Sequence, residues 1–323
     1  MYSDNRGVFS LYLRLINHQS YSVSVNNSNY FLFIIPALIW GSTWYVIKYQ
    51  LGTVDPVLSV SYRFGLAAII LLIYSRIKNL SLSFTKKHHF FIALQGVLLF
   101  GTNYWLVYMS ELYLSSGLVA VAFSTLIFLN IFFGALFLGE EIKRNIIIGA
   151  IFGLLGTVLI YQAEFRRINF SGDQVKGLML CIASLIFASL GNITSAYNQR
   201  TFQLPVVQTN GFGMLYGAIM MFFIALVSGK PINFDISSSY LFSLSYLALF
   251  GSIIAFTAYL ILMGRVGVGR ASYTIVVIPI IALTISTIFE GYQPDIYAFM
   301  GMGLIVIGNM LAIKVKNDSK VKA

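Results

Sequence analysis

Trp40, Ser42, Thr43 and Trp44 bring two indoles and two hydroxyls into about one and a half helical turns, with Trp40, Thr43 and Trp44 on one face by their three- and four-residue spacing. Such a face suits a cavity wall. Indole offers stacking area and one N–H donor, and a hydroxyl bonds either a carbonyl of its own helix or a ligand. Simple helix packing accounts for the hydroxyls equally well, and an aromatic belt at a membrane surface is the rival reading for the two tryptophans. Asn103, Tyr104 and Tyr108 form a second polar and aromatic group, in which the two tyrosines lie one turn apart. Ser189, Asn192 and Ser195 recur every three residues in an otherwise apolar stretch. An amide in hydrocarbon needs a partner, so this stripe faces protein or water, and both interhelical bonding and ligand contact satisfy that demand. Gln208, Thr209 and Asn210 begin the following apolar segment and read as interfacial.

Charge within the apolar segments is scarce, and an ionised side chain at membrane depth costs at least about 2.5–3.5 kcal/mol. Arg63 lies seven residues past Pro56, too deep for easy snorkelling. A carbonyl end, a carboxylate such as Glu111 or Glu290, or an anionic group on a cargo molecule would balance it. Glu111, Glu140, Glu141 and Glu290 all fall at segment ends, so a simple mid-membrane carboxylate relay is not visible. Glu290 closes a long apolar segment that contains Pro279, and this pairing marks both as candidates for gating or coupling, with Arg63 as a third. Pro279 deprives its helix of one backbone donor, which predicts a local kink.

Enzymatic chemistry is poorly supplied. His18, His88 and His89 have no cysteine or carboxylate spaced to join them at a metal, and no phosphate-binding or dinucleotide glycine pattern occurs. No catalytic residue, metal or cofactor is therefore expected. Cys181 is the single cysteine and reads as a small packing residue.

The elements that must position these side chains follow from composition. The 323 residues are 58% hydrophobic and only 10% charged, with a mean hydropathy of +0.81, far from the ordinary soluble domain. At about 20 residues per crossing, roughly ten apolar segments fit and leave no room for a sizeable soluble domain. The reading is an all-α polytopic membrane protein. Despite a net charge of +10, the Lys and Arg residues sit between apolar segments rather than in a patch, so nucleic acid is not an expected partner. They divide unevenly. Arg6, Arg14, the 76–87 cluster, Lys143, Arg144, Arg200, Arg265, Arg270 and the tail lysines collect on one side, and only Lys48, Arg166, Arg167, Lys176 and Lys230 fall on the other. The positive-inside rule then puts both termini in the cytoplasm and requires an even number of crossings.

Gly117, Gly139, Gly149 and Gly156 recur 152 residues later as Gly269, Gly291, Gly301 and Gly308. This is the trace of a duplication, and each block holds an odd number of segments, so the second copy enters the bilayer inverted, as transporters often show. The predicted fold is ten transmembrane helices in two inverted five-helix repeats. The first spans 30–161 and the second 177–313, with a cytoplasmic N-terminal extension over 1–29, an extracytoplasmic linker over 162–176 and a basic tail over 314–323. Gly139–Glu140 aligns with Gly291–Tyr292, so the acid is not duplicated.

The string PALIWGSTWYVIKYQLG at 36–52, followed by SYRFGLAA at 61–68, resembles the EamA-type carriers of the drug/metabolite transporter superfamily. NYWLVYMSELYLSSGLVAVAFS at 103–124, FLGE at 137–140, SLGNITSAYNQR at 189–200, QTNGFGMLYGA at 208–218 and FEGYQP at 289–294 are similar to the same family. The resemblance implies a ten-helix inverted-repeat fold and export or exchange of a small metabolite through a central cavity by alternating access. A bacterial inner (plasma) membrane location and a monomer or weak homo-oligomer are expected, with the bilayer and a small molecule as partners. Amino acids or related compounds fit a lining of Trp, Tyr, Ser, Thr and Asn; amphipathic drugs are the runner-up, and a channel or a receptor without a transport cycle is the alternative of another class.

Overall fold

A computed structural model describes residues 27–114, 116–162, 172–289 and 293–313. The helices are α1 Asn27–Ile47, α2 Pro56–Ile77, α3 Lys86–Glu111, α4 Ser116–Ser124, α5 Leu126–Leu138 and α6 Arg144–Ile160, followed by α7 Gly172–Thr201, α8 Val206–Val227, α9 Ser238–Val266, α10 Val268–Ala271, α11 Tyr273–Phe289 and α12 Ile296–Ile313. No strand occurs among the described residues. Six of them, α1, α2, α3, α7, α8 and α9, are long and apolar enough to cross a membrane, and α5, α6, α11 and α12 contribute shorter apolar stretches. This is an integral membrane protein. The N-terminal extension before Asn27, most of the 162–176 linker, the basic tail and Glu290 lie outside the described residues.

Local sequence sets the helix ends. Asp55 caps α2 by accepting from Val57 N (3.0 Å), with Pro56 in the first turn, where a missing donor costs nothing. Thr85 and Ser237 cap α3 and α9 in the same way through His88 N and Tyr240 N. Gly139 ends α5 in the left-handed region at φ 65°, where a Cβ would be strained. Helices α3 and α9 each carry a π-helical segment, Gly96–Thr102 and Leu247–Ile254. Such segments commonly mark a functional site.

Two helix pairs dominate the packing. Helices α6 and α12 meet through glycines: a Cβ on Gly149 would stand 2.5 Å from the carbonyl oxygen of Gly308, and one on Gly156 would stand 2.5 Å from that of Gly301. The lower number of one helix meets the higher number of the other, so the pair runs antiparallel. Helices α2 and α8 behave alike, with Ser61 Oγ donating to Ala218 O (2.9 Å) and Gly211 packed on Leu71 and Leu72. Bulky apolar side chains such as Ile73, Phe132, Ile219, Phe223 and Phe242 point outward, as a lipid-facing surface requires.

Between Ser116 and Leu138 the helix is broken at Thr125, whose hydroxyl turns back to Ala122 O (2.6 Å). The segment that contains Pro279 is helical from Tyr273 to Phe289, and a turn at Ser272 separates it from α10. Pro36 also sits inside a helix, α1, so Pro279 is not alone. Gly41 of α1 packs against Ile281 of α11, where a Cβ would come within 2.5 Å, which joins the two proline-bearing helices.

Candidate functional site

A cavity of about 60 Å³ lies where α1, α3, α4, α5, α7, α9 and α11 converge. Trp40, Thr43 and Trp44 supply one wall from α1, Asn103 and Tyr104 another from α3, and Asn192 a third from α7, closed by Phe256 and Tyr259 of α9. The volume suffices for a few water molecules or a compact solute rather than a drug-sized ligand. The aromatic edges are locked: Trp40 lies edge-on to Phe256 (4.9 Å) and Tyr259 (5.1 Å), and Trp44 to Phe123 (5.3 Å). Trp40 Nε1 donates to Gly251 O (3.1 Å), so its polar handle anchors α9 and its ring faces the space.

Four polar atoms of the lining residues are buried without a hydrogen-bond partner: Trp44 Nε1, Asn103 Oδ1, Asn192 Oδ1 and the Tyr259 hydroxyl. The amide orientations are set by their other ends, because Asn103 Nδ2 donates to Leu99 O (3.2 Å) and Asn192 Nδ2 to Asn130 Oδ1 (3.4 Å). One indole donor, two amide acceptors and one hydroxyl therefore remain unpaired in an otherwise apolar lining. That set matches a small molecule with a cationic donor group and an acceptor group, and buried polar atoms of this kind ordinarily find partners.

Six of the ten cavity residues expected from the sequence, Trp40, Thr43, Trp44, Asn103, Tyr104 and Asn192, share this one lining. The other four do not. Ser42 donates to Ile39 O of its own helix (2.7 Å) and meets the Tyr246 hydroxyl of α9 (2.6 Å). Tyr108 donates to Gln50 Oε1 (2.8 Å) and accepts a longer contact from Arg63 Nη1 (3.4 Å). Ser189 donates to Asn130 Oδ1 (2.7 Å), and Ser195 accepts from Gln199 Nε2 (3.5 Å). Thr43 lines the space with its methyl, because its hydroxyl is returned to Trp40 O (2.9 Å).

Arg63 is fully buried, and its partners are neutral: Nε donates to Ser252 Oγ (3.0 Å), and the guanidinium lies 4.6 Å from the Tyr104 ring centroid and 5.1 Å from that of Phe64. Cation–π contact and hydroxyl acceptors hold it, and of the partners expected, a carbonyl end, a carboxylate or an anionic cargo group, the Glu111 carboxylate lies within electrostatic reach without a hydrogen bond. Pro279 is buried in α11 beside the lining residue Ile278 but does not itself face the cavity. Gln208, Thr209 and Asn210, read as interfacial, are buried in protein, and Asn210 Oδ1 accepts from Gln95 Nε2 (3.2 Å).

The residue that sequence reasoning missed is Asn130. It joins Ser189, Asn192 and Ser272, donating to Ser272 Oγ at 2.7 Å, and so ties α5, α7 and the α10–α11 turn below the cavity. Its signal was present, as a lone amide in the run LIFLNIFFGALFL.

Beyond this knot opens a larger charged vestibule of about 320 Å³, edged by Glu140, Glu141, Lys143, Arg200, Arg265 and Arg270. Glu140 holds its floor. The carboxylate accepts from Val268 N (3.0 Å) and Gly269 N (3.4 Å) and pairs with Arg200, so one side chain fastens α5, α7 and α10. Glu140→Ala is expected to cost about 1–2 kcal/mol, the range for a lost capping carboxylate that is partly exposed. Thermal unfolding in detergent checks this, and a wild-type midpoint would show that the clamp contributes nothing. On the opposite end, Lys230 Nζ meets Asp55 Oδ2 at 2.8 Å, and that carboxylate holds the ammonium above its ordinary pKa.

The sequence model of the EamA-like transporter family matches residues 27–162 and 175–314. The chain is 28% identical to the uncharacterized inner membrane transporter YedA of Escherichia coli strain K12, over 85% of this chain and 87% of that one. It is 23% identical to protein PagO of Salmonella typhimurium (88% and 93% covered) and 23% identical to the uncharacterized transporter YoaV of Bacillus subtilis (84% and 91%). A crystal structure of a protein with 19% sequence identity superposes with a TM-score of 0.73, covering 89% of this chain and 96% of the other, which is a likeness of fold.

Proposed function

The chain belongs to the EamA-like transporter family, and from that premise we propose that it is a secondary transporter that moves a small metabolite, an amino acid or a related compound, by alternating access, in export or exchange. The observation that carries the cargo class is the lining in which Trp44 Nε1, Asn103 Oδ1 and Asn192 Oδ1 stand buried and unpartnered among aromatic rings. Two amide oxygens accept from an ammonium, one indole N–H donates to a carboxylate, and the rings cover an apolar side chain. Nucleotide sugars and sugar phosphates would need more buried positive charge than Arg63 provides.

The membrane architecture of this proposal is ten crossings in two inverted five-helix repeats, located in the inner membrane with both termini cytoplasmic. Antiparallel packing of α6 on α12 and of α2 on α8 supports it, since each pair joins equivalent members of the two family matches. An in-plane two-fold axis maps the Gly149–Gly308 contact onto Gly301–Gly156. The charge pairs respect the partition read from the sequence: Glu140–Arg200 falls on the Lys- and Arg-rich side and Asp55–Lys230 on the other. The charged vestibule is then the cytoplasmic mouth.

Counterflow in proteoliposomes tests the reading. Unlabelled internal amino acid should accelerate uptake of the labelled compound, and no acceleration by any member of a twenty-amino-acid panel would refute it. Asn103→Leu then separates a ligand contact from an orphan atom. Leucine removes the unpartnered Oδ1 together with the Nδ2 bond to Leu99 O, so thermal stability should change little, while KM rises by about tenfold for the loss of one hydrogen bond to a charged group. An unchanged KM would release Asn103 from the binding role.

A further inference from the structure

Glu111 is the last residue of α3, and both of its carboxylate oxygens are buried without a hydrogen-bond partner. Other acids among the described residues are accounted for. Asp55 caps α2 and pairs with Lys230, Asp235 and Asp295 cap the backbone at Ser237 and Ala298, Glu140 is held by Arg200 and two amides, and Glu141 and Asp173 are exposed. Glu111 is also aligned with the cavity. Asn103, Val107 and Glu111 follow at four-residue spacing on one face of α3, and the first two line the space, so the carboxylate stands one turn beyond its wall.

The groups facing Glu111 come from four helices. Lys48 at the end of α1 and Arg63 of α2 lie within electrostatic reach, as do Tyr108 of its own helix and the buried thiol of Cys181 in α7. Lys176 of α7 is turned away to the Tyr113 hydroxyl (2.8 Å), and α4 brings no titratable side chain. Neither cation hydrogen-bonds the carboxylate, and Arg63 has a buried Nη2 with no partner of its own. A carboxylate in such a place is expensive to ionise while the helices are closed, and becomes inexpensive once water or Arg63 reaches it.

We propose that Glu111 is the proton-binding site through which this carrier couples cargo movement to the proton gradient. The inference rests on the transporter reading. In the closed arrangement the carboxyl holds a proton taken from bulk water. Separation of α1 and α2 from α3 hydrates it, the proton returns to bulk on the newly opened face, and water stabilises the carboxylate left behind as Lys48 and Arg63 withdraw. The charge on Glu111 thus changes with the same helix movement that opens the cavity one turn away.

Two measurements on the full-length protein in proteoliposomes test this. With one proton moved per cargo molecule, a one-unit pH difference sustains a steady-state cargo gradient of about tenfold, which falls to about one in Glu111→Gln and returns in Glu111→Asp. The probe is the amino-acid panel. Infrared difference spectra across a pH titration supply the second readout, independent of cargo: a protonated-carboxyl carbonyl band that titrates in the wild type and is missing from E111Q. Wild-type transport indifferent to the pH difference, or E111Q with wild-type accumulation or the same band, overturns the proposal and leaves the transporter reading standing. A wild type that moves no panel member overturns the transporter reading, and the band alone then decides: its persistence in E111Q removes Glu111 as a proton site, and its loss keeps it as one.

Discussion

Replacing Gly149 with leucine is expected to cost at least about 3 kcal/mol and to leave little folded protein after extraction, because the obstruction is backbone rather than side chain. A Cβ at this position would lie 2.5 Å from Gly308 O and 2.6 Å from the Tyr273 hydroxyl. No rotamer relieves that contact, so α6 and α12 must move apart along the whole glycine seam. Tyr273 would also lose its place, and its hydroxyl donates to Ile146 O across the same junction. Without a hydrophobic drive between helices in lipid, close van der Waals contact is what holds such a pair, and separating it forfeits the contact outright. Gly303→Leu is the control. That glycine lies on the partner helix, α12, with open space around it, so leucine there should be tolerated. Similar unfolding midpoints for the two variants in detergent would show that the seam is not a stability determinant.

Arg63→Ala is expected to be the most damaging change near the cavity, destabilising by about 3–5 kcal/mol and reducing transport by about a hundredfold in whatever protein remains folded. The guanidinium is fully buried and touches α2, α3 and α9 at once, through Phe64, Tyr104 and Tyr108, and Ser252. Its Nη2 lies beside Gly251 and Thr43: a Cβ on Gly251 would stand 3.1 Å from both Nη2 and the Thr43 methyl. Truncation therefore removes the support of two lining residues, Tyr104 and Thr43, as well as leaving a void. Arg63→Met separates the two effects. It fills most of the volume without the charge, so stability should recover toward wild type while transport stays low. Transport restored by methionine would mean that the guanidinium acts as filler alone.

Much of the site was legible from α1. Three residues on one face, Trp40, Thr43 and Trp44, were picked out by spacing, and all three line the cavity, because spacing within a helix is a local property that the backbone fixes. Ser42, adjacent in sequence, points to α9, as its position off that face required. Spacing served less well on α7, where Asn192 reaches the cavity but Ser189 and Ser195 are consumed by Asn130 and Gln199. A polar stripe says that partners are needed, and the partners themselves sit on other helices. Glu111 shows the limit most plainly. As a segment-end acid it read like Glu140, yet packing leaves one carboxylate without a donor and gives the other two amides and an arginine.

By itself the sequence determined that this chain is an integral membrane protein of apolar helices in which one family pattern occurs twice. Each of these follows from properties summed within a segment, since transfer to lipid depends on that segment's own side chains and on its backbone bonds being satisfied internally. Tertiary structure alone decided which glycine meets which, which hydroxyls and amides were used up in pairs, and which polar atoms of the lining residues were left unpaired. Those are pairwise outcomes between residues far apart in the chain, where a few tenths of an ångström of helix approach, set by an absent Cβ, chooses the partner.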